Sequence, residues 1–118
     1  MDNYLIYHNP RCSKSRAALD LLREHKIEPR VIEYLKTPPD AKTLKGLLVK
    51  LGLSPRDILR DGEEEFARLK LEDPKKTDRE LIDAIVKHPV LLQRPIVVRG
   101  NRAVIGRPPE KIKQLLQV

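Results

Sequence analysis

The 118-residue chain has the length of one domain, and its hydrophobic residues, 40% of the total, can form a core without disulfides or metals. Its 24 basic and 17 acidic residues give a net charge of +7, which favours an anionic partner such as a nucleic acid, an oxyanion or an acidic peptide. Three Tyr and one Phe are too few for base stacking, which disfavours nucleic-acid binding. No apolar run reaches the roughly 18 residues that cross a bilayer, and no secretion signal is recognisable. We therefore expect one soluble, cytoplasmic domain over residues 1–118.

The first third of the chain predicts a βαβ unit. Residues 4–7 form an apolar run typical of a buried strand, and Asn9-Pro10 then turns the chain. Apolar residues at helical spacing follow, so a helix should begin near Cys12 or Ser13 and run to about Glu24. Residues 30–34 give a second strand.

Residues 38–89 predict a helical insert. An amphipathic helix ends at Gly52, and a second helix follows from the capping pattern that begins at Ser54. Thr77 begins a third helix, which stops at His88-Pro89.

The last third predicts a ββα unit. Residues 96–99 and 102–105 flank the two-residue turn Gly100-Asn101, and a helix opens at Pro108. We interpret the whole order, βαβ, helical insert, ββα, as an α/β thioredoxin-like fold with a mixed sheet.

Cys12 is the only cysteine, and this fold places it at the N-terminus of the first helix. Backbone N–H groups and the helix dipole stabilise a thiolate there, and the thiolate is the nucleophilic form. Arg11, Lys14 and Arg16 add positive charge, as would His8 when protonated. The alternative is that Cys12 is a small buried apolar residue. A metal site is not indicated, because the single cysteine and the three histidines show no ligand spacing.

Four separated motifs resemble the glutaredoxin-coupled arsenate reductase (ArsC) family. Residues 8–15, HNPRCSKS, match its HNPxCxxS signature. The others are Arg60 in DILR, HPVLLQRPIVV over residues 88–98, and GRPPE over residues 106–110.

The resemblance implies a thioredoxin-like fold and reduction of arsenate to arsenite, a reaction of arsenic detoxification. In that chemistry Cys12 attacks arsenate, glutathione attacks the covalent adduct, and glutaredoxin completes the reduction, with no bound cofactor. The family's oxyanion-binding arginines correspond to Arg60, Arg94 and Arg107, and its helper histidine to His8. We expect Ser15, the last residue of the signature, to contribute to substrate binding.

The resemblance also implies a cis peptide bond before Pro95. Local sequence alone would predict trans, because only about 5% of X-Pro bonds in folded proteins are cis.

Two alternative functions remain open at the sequence level. A regulator of the Spx type shares the fold and binds RNA polymerase, but it senses oxidation through a CxxC pair, and Ser15 stands at the second position here. A reductase of another oxyanion or of a disulfide is the other alternative. It is kept open because the segment after Val98 is shorter than in the better-known arsenate reductases and the sequence ends at Val118.

Overall fold

The computed structural model describes residues 3–116. Two compact units form within this range: residues 3–37 together with 94–116, and residues 38–93. The predicted helical insert at about residues 38–89 falls within the second unit. The organisation of residues 1–118 as one domain stays a prediction.

The first unit contains a four-stranded mixed sheet. Its strands are β1 (Tyr4–His8), β2 (Arg30–Glu33), β3 (Ile96–Arg99) and β4 (Arg102–Ile105), and their order in the sheet is β2-β1-β3-β4. β1 is parallel to β2 and antiparallel to β3, and β3 is antiparallel to β4. The ends of β1 and β2 and the start of β3 therefore meet at one edge of the sheet.

Helix α1 (Ser13–Glu24) packs on this sheet, because its residues at helical spacing share an apolar core with the strands. The buried members of this core are Ile6, Ala18, Leu19, Leu22, Val97, Ile112 and Leu115. The predicted strands and first helix are confirmed to within one residue at their ends.

The hairpin turn and the last helix follow the sequence prediction with one difference. Gly100 has φ +59°, a left-handed conformation that glycine adopts without steric cost, between β3 and β4. The predicted last helix is divided into a 3₁₀ turn, Pro109–Ile112, and the short helix α5, Lys113–Leu116. The proline at the start of the turn has a fixed φ and no N–H to donate, which suits a first turn.

The second unit is built mainly from helices, in chain order α2 (Ala41–Leu51), a 3₁₀ turn (Pro55–Ile58), α3 (Glu64–Arg68), α4 (Asp78–Lys87) and a 3₁₀ turn (Pro89–Leu91). Helix α2 ends at Gly52, whose φ of +68° is the left-handed conformation predicted for this helix stop. Thr77 caps α4: its Oγ1 accepts the Glu80 N–H, and the Glu80 carboxylate accepts the Thr77 N–H.

The segment after Ser54 differs from the predicted helix. The Ser54 N–H donates to the Asp57 carboxylate at 2.9 Å as the capping pattern requires, but only a 3₁₀ turn follows. The chain then becomes extended, and Leu59 forms an isolated antiparallel bridge with Leu92. This non-local pairing replaces the next helical turn. Among residues 3–116, no helix has both the length and the apolar character to span a membrane.

Candidate active site

Cys12 lies between β1 and α1, at the position that precedes the first helical residue. Its backbone is extended (φ −93°, ψ 123°), and its N–H donates to the Asn9 carbonyl at 3.0 Å. The Cys12 side chain is partly exposed, so a substrate can reach its sulfur. The N-terminal placement predicted for the thiol is therefore present.

Three donors act on the sulfur of Cys12. Burial by itself opposes the charged thiolate, but the backbone N–H of Ser15, the Arg94 guanidinium and the backbone N–H of Lys14 all hydrogen-bond to it. Together these donors lower the pKa of the Cys12 thiol below its usual range. The sequence analysis attributed an activated thiol to the backbone N–H groups at the helix N-terminus and to the charges of Arg11, Lys14 and Arg16. The backbone N–H groups of the first turn of α1 act as predicted, whereas the guanidinium that lowers the thiol pKa is that of Arg94.

The loop that leads to the thiol is held by its own polar groups. The Asn9 side-chain oxygen accepts the Arg11 N–H at 3.0 Å, and an Arg16 guanidinium nitrogen donates to the Pro10 carbonyl at 2.9 Å. Asn9 was not among the predicted site residues, although an Asn in a turn commonly bonds the backbone two residues ahead. These bonds fix the approach of the chain to Cys12.

His8 and Ser15 lie together beneath this loop. Nδ1 of His8 is 2.6 Å from Oγ of Ser15, and Oγ also accepts the Asn9 N–H at 3.0 Å. Both residues are buried, with Ser15 at 0% exposure. Burial lowers the pKa of His8; Glu33 opposes this effect, while Arg23 and Arg16 add to it. His8 therefore favours the neutral form in the folded protein, in contrast to the cationic role considered from the sequence.

Arg94 and Arg107 each precede a proline joined by a cis peptide bond. The cis bond at Pro95 confirms the expectation from the family resemblance, whereas the cis bond at Pro108 was not predicted. Nε of Arg94 is buried and has no hydrogen-bond partner among residues 3–116. The Arg107 guanidinium, which is exposed, lies 3.4 Å from the Arg94 carbonyl oxygen. The two arginines are thus neighbours, and Arg94 also contacts Cys12.

Gly106 fixes the position of the segment that carries Arg107. Its N–H donates to the Pro95 carbonyl at 2.8 Å. A Cβ at Gly106 would lie only 3.0 Å from the ring of Pro95 and 3.1 Å from the side chain of Ile112. The close approach explains why glycine occupies this position in GRPPE, a role that the sequence analysis did not assign.

Arg60 lies in the unit of residues 38–93. Its backbone N–H donates to the Leu91 carbonyl at 2.8 Å, and its Nε donates to the Glu63 carboxylate at 3.2 Å. Within residues 3–116, no group of three or more potential His, Cys, Asp or Glu ligands converges on a metal position.

A mixed sheet with a thiolate-stabilising helix N-terminus, and a cis-proline segment whose arginine contacts the sulfur, define a thioredoxin-like protein. The ArsC family model matches residues 7–115. The chain therefore belongs to the ArsC family.

Individual relatives are similar in sequence to this chain over nearly its whole length. An arsenate reductase of Neisseria meningitidis is 47% identical over 117 residues, which cover 98% of this chain and 100% of the relative. An uncharacterized Escherichia coli protein, YfgD, is 49% identical over 112 residues, 94% of each chain. The solved structure of an arsenate reductase from Vibrio cholerae has a TM-score of 0.93 at 45% identity, covering 95% of this chain and 96% of that one.

Proposed function

We propose that the chain reduces arsenate to arsenite, with Cys12 as the nucleophile. The observation that carries the proposal is the set of N–H donors on the Cys12 sulfur, which includes the Arg94 guanidinium. Membership of the ArsC family and the similarity to arsenate reductases from Neisseria meningitidis and Vibrio cholerae support the choice of substrate.

The charges of the two reactants explain why such a site is needed. Arsenate and a thiolate are both anionic, so they repel each other unless cationic groups lie between them. A guanidinium presents several N–H donors in a planar fork that suits oxyanion oxygens. Arg94 has a buried Nε whose hydrogen-bonding capacity is unused by residues 3–116, so it can bind an anion without giving up an existing Nε bond.

We assign the remaining site residues as follows. Arg107 is the second oxyanion ligand, which fits its position beside the Arg94 carbonyl. For Arg60, the proposed oxyanion role rests on the family resemblance. His8 and Ser15 act as positioning residues, since the Ser15 hydroxyl is occupied by His8 and Asn9. This assignment differs from the contribution to substrate binding that the sequence analysis expected of Ser15.

The electrons come from thiols in this proposal. The Cys12 sulfur displaces an arsenate oxygen, which leaves as water, and glutathione then attacks the adduct. Glutaredoxin completes the reduction, and arsenite is released. Overall, two thiols become one disulfide, arsenic(V) becomes arsenic(III), and the thiol protons leave in the water. No bound cofactor is required. A free thiol as nucleophile suits the reducing cytoplasm, which is where we expect the reaction.

Arsenite production from arsenate tests the proposal directly. Purified protein is supplied with arsenate, glutathione, glutaredoxin, glutathione reductase and NADPH, and the decrease in NADPH is followed together with arsenite. Wild type should produce arsenite, whereas Cys12→Ser should be inactive, because a hydroxyl cannot form the thiol adduct. Circular dichroism of Cys12→Ser checks that it remains folded. Folded wild-type protein that produces no arsenite in this assay would contradict the proposal.

A further inference from the structure

A cleft of about 200 Å³ lies on the side of the thiol loop that faces the end of β2. The segment from His8 to Arg11 forms one wall, and Glu33, Leu35 and Lys36 form the other. None of these cleft residues except His8 has a part in the proposed chemistry. The cleft therefore requires its own explanation.

The position of the cleft follows from the sheet order. β2 and β3 lie on opposite sides of β1, and β1 leads into the loop that carries Cys12. Arg94 precedes β3, whereas the second wall of the cleft begins at the last residue of β2. The arginine that contacts the sulfur and this cleft thus flank the strand from opposite sides. An oxyanion bound by Arg94 would leave the cleft free for a second reactant.

The side chains around the cleft carry both signs of charge. The Arg11 guanidinium is exposed and has no ion-pair partner among residues 3–116. Lys36 is 80% exposed and pairs only loosely with Glu33, at 3.6 Å. Leu35, 43% exposed, adds an apolar surface. A suitable ligand therefore has carboxylates for the two cations, an ammonium for Glu33 and a short apolar stretch between them.

We propose that this cleft binds the reductant of the reaction as a small peptide thiol with two carboxylates and one ammonium, the charge pattern of glutathione. The inference rests on the proposed function and adds the binding site for its second substrate. The volume of the cleft is smaller than that of typical ligand pockets, which is about 300 to 1,000 Å³. The cleft therefore holds one end of the tripeptide. Arg11, the residue before Cys12, lines the cleft, so a peptide bound there contacts the loop that carries the nucleophile.

S-methylglutathione tests binding apart from turnover, because its blocked sulfur cannot react. It is titrated into isotope-labelled protein while two-dimensional NMR spectra report the backbone amides. Saturable shifts should centre on residues 8–11 and 33–36. Lys36→Glu should raise the apparent Kd by about fivefold, the change expected when an exposed attractive charge becomes repulsive. The matched control Lys113→Glu makes the same charge change at an exposed position of α5 and should leave Kd within about twofold of wild type.

A second measurement uses steady-state kinetics. Lys36→Glu should raise KM for glutathione by about fivefold and leave KM for arsenate unchanged. Shifts that centre elsewhere, equal Kd values for Lys36→Glu and Lys113→Glu, or no binding below about 10 mM would each overturn the cleft assignment. Binding at the cleft without arsenite production would instead contradict the proposed function and leave the cleft assignment standing.

Discussion

The Nδ1 atom of His8 and the Oγ atom of Ser15, seven residues apart in sequence, lie 2.6 Å from each other in the interior. This bond links the last residue of β1 to the first turn of α1. The loop that carries Cys12 is closed between these two residues. Since Ser15 also supplies a backbone N–H to the Cys12 sulfur, the same residue fixes the loop and stabilises the thiolate.

Ser15→Ala should lower the free energy of unfolding by about 1–3 kcal/mol, because it leaves the buried Nδ1 of His8 and the Asn9 N–H without their partner. Chemical denaturation measures the loss. Ser13→Ala, which alters an exposed hydroxyl in the same turn, is the control and should change stability little. At temperatures below the melting transition, Ser15→Ala should keep most of the reductase activity, since the backbone N–H that contacts Cys12 is retained. Equal stability of the two variants would show that the buried bond contributes nothing.

The depressed pKa of His8 predicts a pH dependence of stability. Between its folded and unfolded pKa values, the unfolded chain binds more protons at this residue than the folded protein does. The free energy of unfolding should therefore fall as pH drops below about 6.5, and His8 should contribute no pH dependence well above that value. Denaturation at a series of pH values, for wild type and His8→Gln, isolates the contribution. An identical pH dependence in the two proteins would contradict a buried neutral His8.

The thiol pKa gives a third prediction. The rate of iodoacetamide labelling of Cys12 should rise with a midpoint below the ordinary thiol value of about 8.5. Arg94→Ala removes both a hydrogen bond and a positive charge from the sulfur, so its midpoint should move upward. Arg79→Ala, on the exposed side of α4, should keep the wild-type midpoint. A wild-type midpoint at about 8.5 or above would remove the activated thiol from the proposal.

Local sequence determined the outlines of the fold better than the details of the site. The turn at Asn9-Pro10 and the spacing of apolar residues located α1, and Gly100 marked the hairpin. These features depend on neighbouring residues, so a single sequence contains them. The extended segment at Leu59 depends instead on Leu92, which is far along the chain, and a local capping pattern carries no information about such a partner.

The donors on the thiol show the same limit within the site. Sequence proximity suggested the charges of Arg11, Lys14 and Arg16, but the Arg16 guanidinium turns back to the Pro10 carbonyl. Arg94 reaches the sulfur because β3 lies beside β1, a relationship that only the folded sheet creates. The family resemblance anticipated the cis bond at Pro95, which local physical chemistry alone would not have done. It named Arg94 as an oxyanion ligand, which stays a prediction, and not as a donor to the sulfur.

Anion affinity tests the proposed role of Arg94. Binding of phosphate or arsenate to Arg94→Ala should be weaker by about 10- to 150-fold, corresponding to about 1.5–3 kcal/mol for hydrogen bonds from a charged donor. Arg94→Lys should recover part of the loss, because it restores the charge but not the paired donors. Titration calorimetry or NMR gives the affinities, with Arg79→Ala as the control. If Arg94→Ala and Arg79→Ala bind the anion equally well, Arg94 is not an oxyanion ligand.

Two glycine-to-alanine substitutions compare a closely packed position, Gly106, with an open one, Gly46. Gly106→Ala would place a Cβ 3.0 Å from Pro95 and 3.1 Å from Ile112, which is fully buried, so these two side chains must move by a few tenths of an ångström. We expect the free energy of unfolding to fall by about 1–3 kcal/mol.

Gly46→Ala is the matched control, because nothing lies within 4 Å of its added Cβ in α2. It should raise stability by about 0.5–1 kcal/mol through reduced backbone freedom in the unfolded chain. The hydrogen bond from the Gly106 N–H to the Pro95 carbonyl joins the segment that carries Arg107 to the segment that carries Arg94. Gly106→Ala should therefore also weaken anion binding, whereas Gly46→Ala should not. Denaturation curves and phosphate titrations of both variants decide the matter. Unchanged stability and unchanged anion affinity in Gly106→Ala would show that the contact with Pro95 does not position the site.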